Sequence, residues 1–370
     1  MDTKKNPEGS SAGRALRKAA LTIVFAVVAM VGFFLIFFVF LPVPVTYHLT
    51  ERYSFAAREH DAPVRLAVIL PKTGPYQKVT DVRISWEGTC VTNRHPELDV
   101  LQLVGSVRAR QTNVAVIQYT ARMWQGRARW NGEVKESQRR PEPGIESANP
   151  ALAERARQLA SGQSREDAYR LFKFAASHLS WPRGSRINAA ISAAAAYEGR
   201  VGGCGEFANL TVGLMRARGI PARAVSGLFL APQPPLWSST KTWNHPAGAH
   251  AWIEFYADGQ WEMADPSYAS FFPWKGIAFG RNDGGHLSYG DAGEHDRVFK
   301  DVCSWAAEGG RVLCAMSAPL KFAASAGADG VSVVPQAQVR WGFWDWRWLG
   351  ILLVVILSLV RAWRVQRRAQ

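Results

Sequence analysis

Cysteine is scarce in this chain: four in 370 residues, at Cys90, Cys204, Cys303 and Cys314, with no CxxC pair among them. HxxxH spacing is missing as well, so neither common sequence pattern for a zinc site is present. No EF-hand spacing marks a calcium loop, and no internal period marks a repeat array. Acidic residues are the minority, 30 Asp and Glu against 44 Lys and Arg, for a formal charge of +14. That excess is not gathered into a basic stripe. Nine of the basic residues (Lys4, Lys5, Arg14, Arg17, Lys18, Arg361, Arg364, Arg367 and Arg368) frame the two ends, and the remainder are dispersed. This excludes the footprint of a nucleic-acid binder and leaves attraction to an anionic surface as the use of the charge.

Long apolar runs are confined to the ends. Ala19 to Leu41 is broken only by Thr22 and Gly32. At about 1.5 Å per helical residue it crosses a hydrocarbon core of roughly 30 Å. A cleaved signal has an apolar region of about 7–15 residues followed by small residues. This run is longer and ends in Phe38-Val39-Phe40-Leu41 before Pro42, so it reads as an uncleaved anchor. The second span is 343–361. Leu349 to Val360 is apolar apart from Gly350 and Ser358, with Trp341, Phe343, Trp344, Trp346 and Trp348 before it and arginines after it. An aromatic belt at one interface and cations at the other frame a span. The same rule keeps both basic tails, 1–18 and 362–370, in the cytoplasm and exports everything between. In a bacterial inner membrane the exported side is the periplasm, where paired cysteines persist. Cys303 and Cys314 flank a Gly309-Gly310 turn and are one candidate disulfide; Cys90 is an alternative partner.

Within the exported part, residues 46–140 read as strands. Val64–Leu70, Val79–Trp86, Leu98–Val107 and Val114–Met123 are rich in β-branched and aromatic residues, and Pro, Gly, Asp or Asn separate them. A small β-sandwich is expected. Arg139 to Pro150 carries three prolines and a glycine and reads as a linker. Ser164-Arg165-Glu166-Asp167 caps a helix that runs through Leu179, and Ala189 to Ala196 reads as a closely packed helix. The expected division is a β-rich domain at 46–140, an α+β domain at 150–320 and a juxtamembrane connector at 321–342.

The chemistry concentrates in the second domain. After Gly202-Gly203-Cys204-Gly205, apolar residues Phe207, Leu210, Leu214 and Met215 recur at helical spacing. The helix stops at Gly219, with Pro221 beyond. Cys204 therefore sits at a helix N-terminus, where free N–H groups and the helix dipole favour a thiolate. Ala249 to Tyr256 alternates as a strand, Asp258-Gly259 forms a two-residue hairpin loop, and Trp261 to Asp265 runs back. Counting back from the Tyr256–Trp261 pair sets Trp252 opposite Asp265 and places His250 and Asp265 on one face as diagonal neighbours. An imidazole oriented by a carboxylate is what a general base requires. Blander readings stand beside this one: a packed cysteine, a packed strand histidine and a turn aspartate. His245 is the rival histidine, in the polar loop Thr242-Trp243-Asn244-His245-Pro246. Cys204, His250 and His245 are a conceivable metal-ligand set, without ligand spacing to support it. No metal and no cofactor is expected.

Three segments, in order, carry a family resemblance. Gly203-Cys204-Gly205-Glu206-Phe207-Ala208-Asn209-Leu210 with Leu214 to Arg223 resembles the cysteine helix of the transglutaminase-like superfamily. Gly248-Ala249-His250-Ala251-Trp252 resembles its histidine strand, and Met263-Ala264-Asp265-Pro266-Ser267 its aspartate motif. The resemblance implies a papain-like α+β core with a Cys204–His250–Asp265 triad, preceded here by the β-sandwich-like region and flanked by one transmembrane helix at each end. It further implies attack of a thiolate on an amide carbon of a protein or peptide substrate and a thioester resolved by water or an amine. The Cys204 backbone N–H is one oxyanion donor; Trp181 and Trp252 are candidates for an acyl pocket. A non-catalytic scaffold and a redox or metal protein are the alternatives from other classes.

The topology has a direct test. Alkaline phosphatase fused at Gln138 should be active and fused after Arg368 inactive; activity at the second site would contradict two spans with both ends inside.

Overall fold

In the computed structural model of the chain, the described residues are 43–340 without 58, 95–98, 183–191, 231–239, 243–247, 294–297, 299–311, 316–321 and 327–329, plus isolated positions in the terminal segments. For 43–44, 90–94, 240–242, 312–315, 322–326 and 330–340, the backbone path alone is described. The chain divides into two units, residues 44–340 and the terminal segments 1–43 with 341–370. Most of the expected spans 19–41 and 343–361 lies outside the described residues, as do His245 and the Cys303 end of the candidate disulfide. Among the described residues no helix is long and apolar enough to cross a membrane.

Seven strands come first: β1 (Val43–Ala56), β2 (Ala62–Leu70), β3 (Gln77–Ser85), β4 (Thr89–Arg94), β5 (Asp99–Val107), β6 (Thr112–Arg127) and β7 (Arg129–Trp130). Helices α1 (Pro150–Leu159), α2 (Arg165–His178), α3 (Ala193–Gly199) and α4 (Cys204–Ala217) follow. Then come β8 (Ala222–Phe229), β9 (Thr240–Thr242), β10 (Ala249–Ala257), β11 (Gln260–Ala264), α5 (Pro266–Ser270), β12 (Arg281–Asn282), β13 (His286–Asp291), β14 (Val312–Ala315), β15 (Phe322–Ala326) and β16 (Gly330–Arg340). They build three sheets: β12-β6-β1-β16-β9 with β3 also on β6, β14-β15-β2-β5-β4, and β13-β8-β10-β11-β7.

Within the segment expected as a connector, Phe322–Ala326 and Gly330–Arg340 are strands of the sheets. β15 pairs with β2 from Phe322↔Val68 to Ala326↔Val64, and β16 pairs with β1 from Thr46↔Arg340 to Ala56↔Gly330. The physical reason is edge closure: without these partners β1 and β2 would present unpaired N–H and C=O rows. The β-rich part is thus completed by the far end of the chain. It is also joined to the α+β part, since β12 pairs with β6 and β7 pairs with β11.

α4 is the central helix of the α+β part. Its first N–H groups have no partner inside the helix, and the Glu206 carboxylate reaches back to accept from the Gly203 N–H at 2.8 Å. At the other end Gly219 takes φ +75°, and the Ile220 N–H returns to the Met215 carbonyl at 3.0 Å, the helix stop that a glycine permits. Phe207, Leu210, Leu214 and Met215 are fully buried against α1, α2, α3, β8 and β10. α2 begins as its cap residues predict: Ser164 Oγ accepts from the Asp167 N–H at 3.1 Å, while Asp167 accepts from the Ser164 N–H at 3.3 Å.

β10 is buried on both faces. Ile253, Phe255 and Ala257 enter the helical core, and Trp252 joins Tyr76, Val225 and Met263 on the other side, the alternation that a pleated strand imposes. The hairpin turn has Asp258 at φ 50° and Gly259 at φ 84°, both positive as a type I′ loop needs. Tyr256 pairs with Trp261, and the ladder runs to Ile253↔Ala264. On β8, Gly227 sits opposite His250 and beside β13. A Cβ there would lie 2.0 Å from the Leu287 carbonyl oxygen and 2.6 Å from the Trp252 ring.

Gly227→Ala must therefore push β13 and Trp252 away from β8. The expected cost is about 2 kcal/mol or more of overpacking, read as a lower urea midpoint; an unchanged midpoint would show that the sheet gives way freely.

Candidate active site

Each of the three sequence-derived residues is delivered by a different element. Cys204 is the first residue of α4, partly exposed and a free thiol. His250 lies near the start of β10, with 14% of its side chain exposed. Asp265 follows β11 and is 2% exposed. The hairpin ladder ends one residue short of it, at Ala264. Asp265 then turns away from Trp252: its N–H bonds the Ala278 carbonyl at 2.9 Å, and its side chain caps α5. This turn brings the carboxylate onto His250, where Asp265 Oδ2 accepts from Nε2 at 2.7 Å. Cys204 is near enough to the imidazole to add to its basicity.

Asp265 uses all of its acceptor capacity. Oδ1 takes the Ser267 hydroxyl at 2.7 Å and the Tyr268 N–H at 2.9 Å. Oδ2 takes, besides His250, a second histidine: His286 Nε2 at 3.0 Å. Sequence reasoning missed this residue. His286 opens β13, is 3% exposed, and donates through Nδ1 to Asp283 Oδ1 at 2.9 Å. Asp283 Oδ1 also accepts from the Gly285 N–H at 2.7 Å. The only signal in the sequence is a turn, Asp283-Gly284-Gly285, before an alternating strand. Nothing local says that its histidine meets an aspartate 21 residues earlier.

The rings of Phe229, Trp252, His250 and His286 form one cluster, with His286 5.0 Å from Phe229, 4.9 Å from Trp252 and 5.3 Å from His250. Trp252 is fully buried and thus a wall of the site rather than a pocket lining. Trp181 lies by the first turn of α4: it contacts Phe207 at 5.8 Å, stacks on Phe271 at 5.5 Å and donates to Ser270 Oγ at 3.1 Å. Behind the site, the buried Tyr47 of β1 donates to the Gly284 carbonyl at 2.9 Å and holds the turn that carries His286.

The electrostatics follow from burial and charge. Burial alone would lower the His250 pKa; the Asp265 charge and hydrogen bond outweigh it, with Cys204 adding to the effect, and raise it to about 10. His286 is likewise pulled down by burial and lifted more strongly by Asp283 and Asp265, to about 9. Burial would raise both carboxyls, but the histidines hold Asp265 and Asp283 below the usual carboxylate range. The ligand atoms of His250, Asp265 and His286 lie within 4.8 Å of one another, close enough to hold a metal ion. The same atoms are already matched as donor and acceptor.

Residues 150–266 match the family model of the transglutaminase-like superfamily. Among solved structures the chain is similar to a candidate cysteine protease from Cytophaga hutchinsonii, with 13% identity over 81% of this chain and 100% of that one and a TM-score of 0.49. It is similar to the periplasmic domain of TgpA from Pseudomonas aeruginosa bound to ethylmercury, with 17% identity over 57% and 91% of the two chains and a TM-score of 0.29. A candidate protease from Parabacteroides distasonis gives 13% identity over 57% and 42%, with a TM-score of 0.26. No curated protein matches the sequence.

His286 links the site to stability. In the unfolded chain it loses its proton near pH 6.5, and in the fold near pH 9. A raised folded pKa adds stability that is complete below about pH 6.5 and is lost as pH rises through the folded value. The urea midpoint should therefore fall between pH 6.5 and 9, and fall less in His286→Gln; equal pH slopes in the two proteins would contradict a charged His286.

Proposed function

We propose that this chain, whose residues 150–266 carry a transglutaminase-like domain, is a membrane-anchored thiol enzyme that opens amide bonds in an exported protein or a cell-wall peptide. The observation that carries this reading is an imidazole hydrogen-bonded to a buried carboxylate, with its basicity raised further by a thiol at the start of a buried helix.

In this reading Cys204 is the nucleophile. His250 takes the thiol proton, or already holds it in an imidazolium–thiolate ion pair, and the thiolate sulfur forms a bond to the substrate carbonyl carbon. The carbonyl electrons move onto oxygen, and the Cys204 backbone N–H donates to it. As the tetrahedral species collapses, the C–N bond breaks, and His250 delivers its proton to the departing amine. A thioester to Cys204 remains. Water, deprotonated by His250, attacks it; the C–S bond breaks and the acid and free thiol are restored. An amine in place of water gives acyl transfer through the same thioester, and hydrolysis is the first of the two readings. Asp265 fixes the ring orientation and stabilises the imidazolium.

The membrane part of the proposal draws support from β1 and β16. Thr46 is paired with Arg340, so the residues that adjoin the two expected spans in sequence lie side by side. That suits spans at 19–41 and 343–361 that enter one membrane from one face, with both basic tails in the cytoplasm. A lipid bilayer and a protein or peptide substrate are the partners proposed.

Alkylation of Cys204 by iodoacetamide, followed against pH in wild type and His250→Ala, tests the reading. A free cysteine titrates near pH 8.5. Cys204 should react well below that pH, and His250→Ala should slow it at pH 6–7 by about tenfold or more. A thiol that is unreactive, or indifferent to His250, in a folded protein would overturn the enzyme in favour of a scaffold.

A further inference from the structure

With Asp265 and Asp283 ionised, the hydrogen bonds around His286 admit one protonation state of the ring. Nε2 faces Asp265 Oδ2 at 3.0 Å, and Nδ1 faces Asp283 Oδ1 at 2.9 Å. An ionised carboxylate only accepts, and a neutral imidazole has a single N–H. Both contacts are donated only when the ring carries both protons. The ring is 3% exposed, so water does not supply the missing partner. Phe229 and Trp252 close two of its sides.

We propose that His286 is a positioning residue of the site: an imidazolium wedged between Asp265 and Asp283 that orients the Asp265 carboxylate and sets how tightly Asp265 holds the His250 proton. The proposal rests on His250 being the base of the site.

Two effects act in the same direction. His286 occupies one of the lone-pair positions of Asp265 Oδ2 and offsets its charge, so less of that charge acts on His250. The cation also lies 5.3 Å from the His250 ring, and like charges at that distance disfavour each other. Both make the His250 imidazolium a readier proton donor than Asp265 alone would. A general acid must release its proton to the leaving amine, and an imidazolium bound too tightly to a buried carboxylate does this poorly. The charged and titratable groups around the pair are Asp265 at the α5 cap, Asp283 in the turn before β13, and Cys204 on α4. Tyr47 of β1 and Tyr268 of α5 face Asp283 as well. Asp283 keeps His286 charged and is itself held by the Gly285 N–H.

The test is NMR of the full chain in detergent with labelled histidine rings. At pH 7.5 His286 should show the nitrogen pattern of an imidazolium with two N–H groups; a neutral ring overturns the proposal. In His286→Gln, which keeps a donor to Asp265 without the charge, the His250 Nε2 proton should move downfield at pH 7.5, where His286 of the wild type is charged, because its hydrogen bond to the less neutralised Asp265 tightens. If the single variant leaves Asp283 without a partner and does not fold, the double variant His286→Gln/Asp283→Asn removes both charges, and the His250 proton should still move downfield, because the cation that bordered its ring at 5.3 Å is gone. An unmoved His250 in either folded variant overturns the proposal. This ring signal does not depend on a reactive thiol. Failure of the enzyme reading shows instead in the Cys204 alkylation profile, and the two results are separable.

Discussion

Asp265 is a carboxylate almost wholly removed from water, and the geometry of the site is arranged around keeping it charged. An isolated buried carboxylate would take up a proton. Here two histidines, a serine hydroxyl and a backbone N–H of α5 all donate to it. Each donor comes from a different place: β10, β13, and two positions in the α5 turn. Because the carboxylate accepts only in defined directions, satisfying it fixes the relative placement of those elements. The same hydrogen bond that stabilises Asp265 also lifts the basicity of His250. Stability and site electrostatics are one interaction seen from two sides.

The rest of the α+β part brings Cys204 to that centre. α4 is held along its length by the cores of α1, α2 and α3 and by β8 and β10, so its N-terminus is fixed relative to β10. β13 approaches β8 closely because Gly227 has no side chain. That close approach sets His286 beside Trp252 and within reach of Asp265. The N-terminal strands contribute from behind through Tyr47, which donates to Gly284 and Leu230 carbonyls. The β-rich part is therefore a structural wall of the site, joined to it through β9 and β12.

Much of this arrangement was legible in short stretches of sequence. Ser164 and Asp167 announce the start of α2, and Gly219 with Pro221 the end of α4. Asp258-Gly259 sets the hairpin register from Tyr256↔Trp261 inward. These signals work because caps and turns are decided by the backbone needs of a few neighbouring residues. The count failed only at the last step: the ladder stops at Ile253↔Ala264, and Asp265 bends into the α5 cap instead of facing Trp252. Pro266 marks a break in the strand, but the direction of the bend is set by the Ala278 carbonyl that receives the Asp265 N–H.

By itself, then, the sequence determined the local elements, the order of the cysteine helix, histidine strand and aspartate turn, and the resemblance those segments carry. Tertiary structure alone decided that β16 closes the edge of β1 from the far end of the described residues 43–340, and that His286 and Asp283 join Asp265. The reason is range. Caps, hairpins and helical faces are settled within a few residues, whereas a strand edge or a buried carboxylate takes its partner from wherever the folded chain brings a matching group. Only burial makes that match obligatory, because in water the solvent would have served as well.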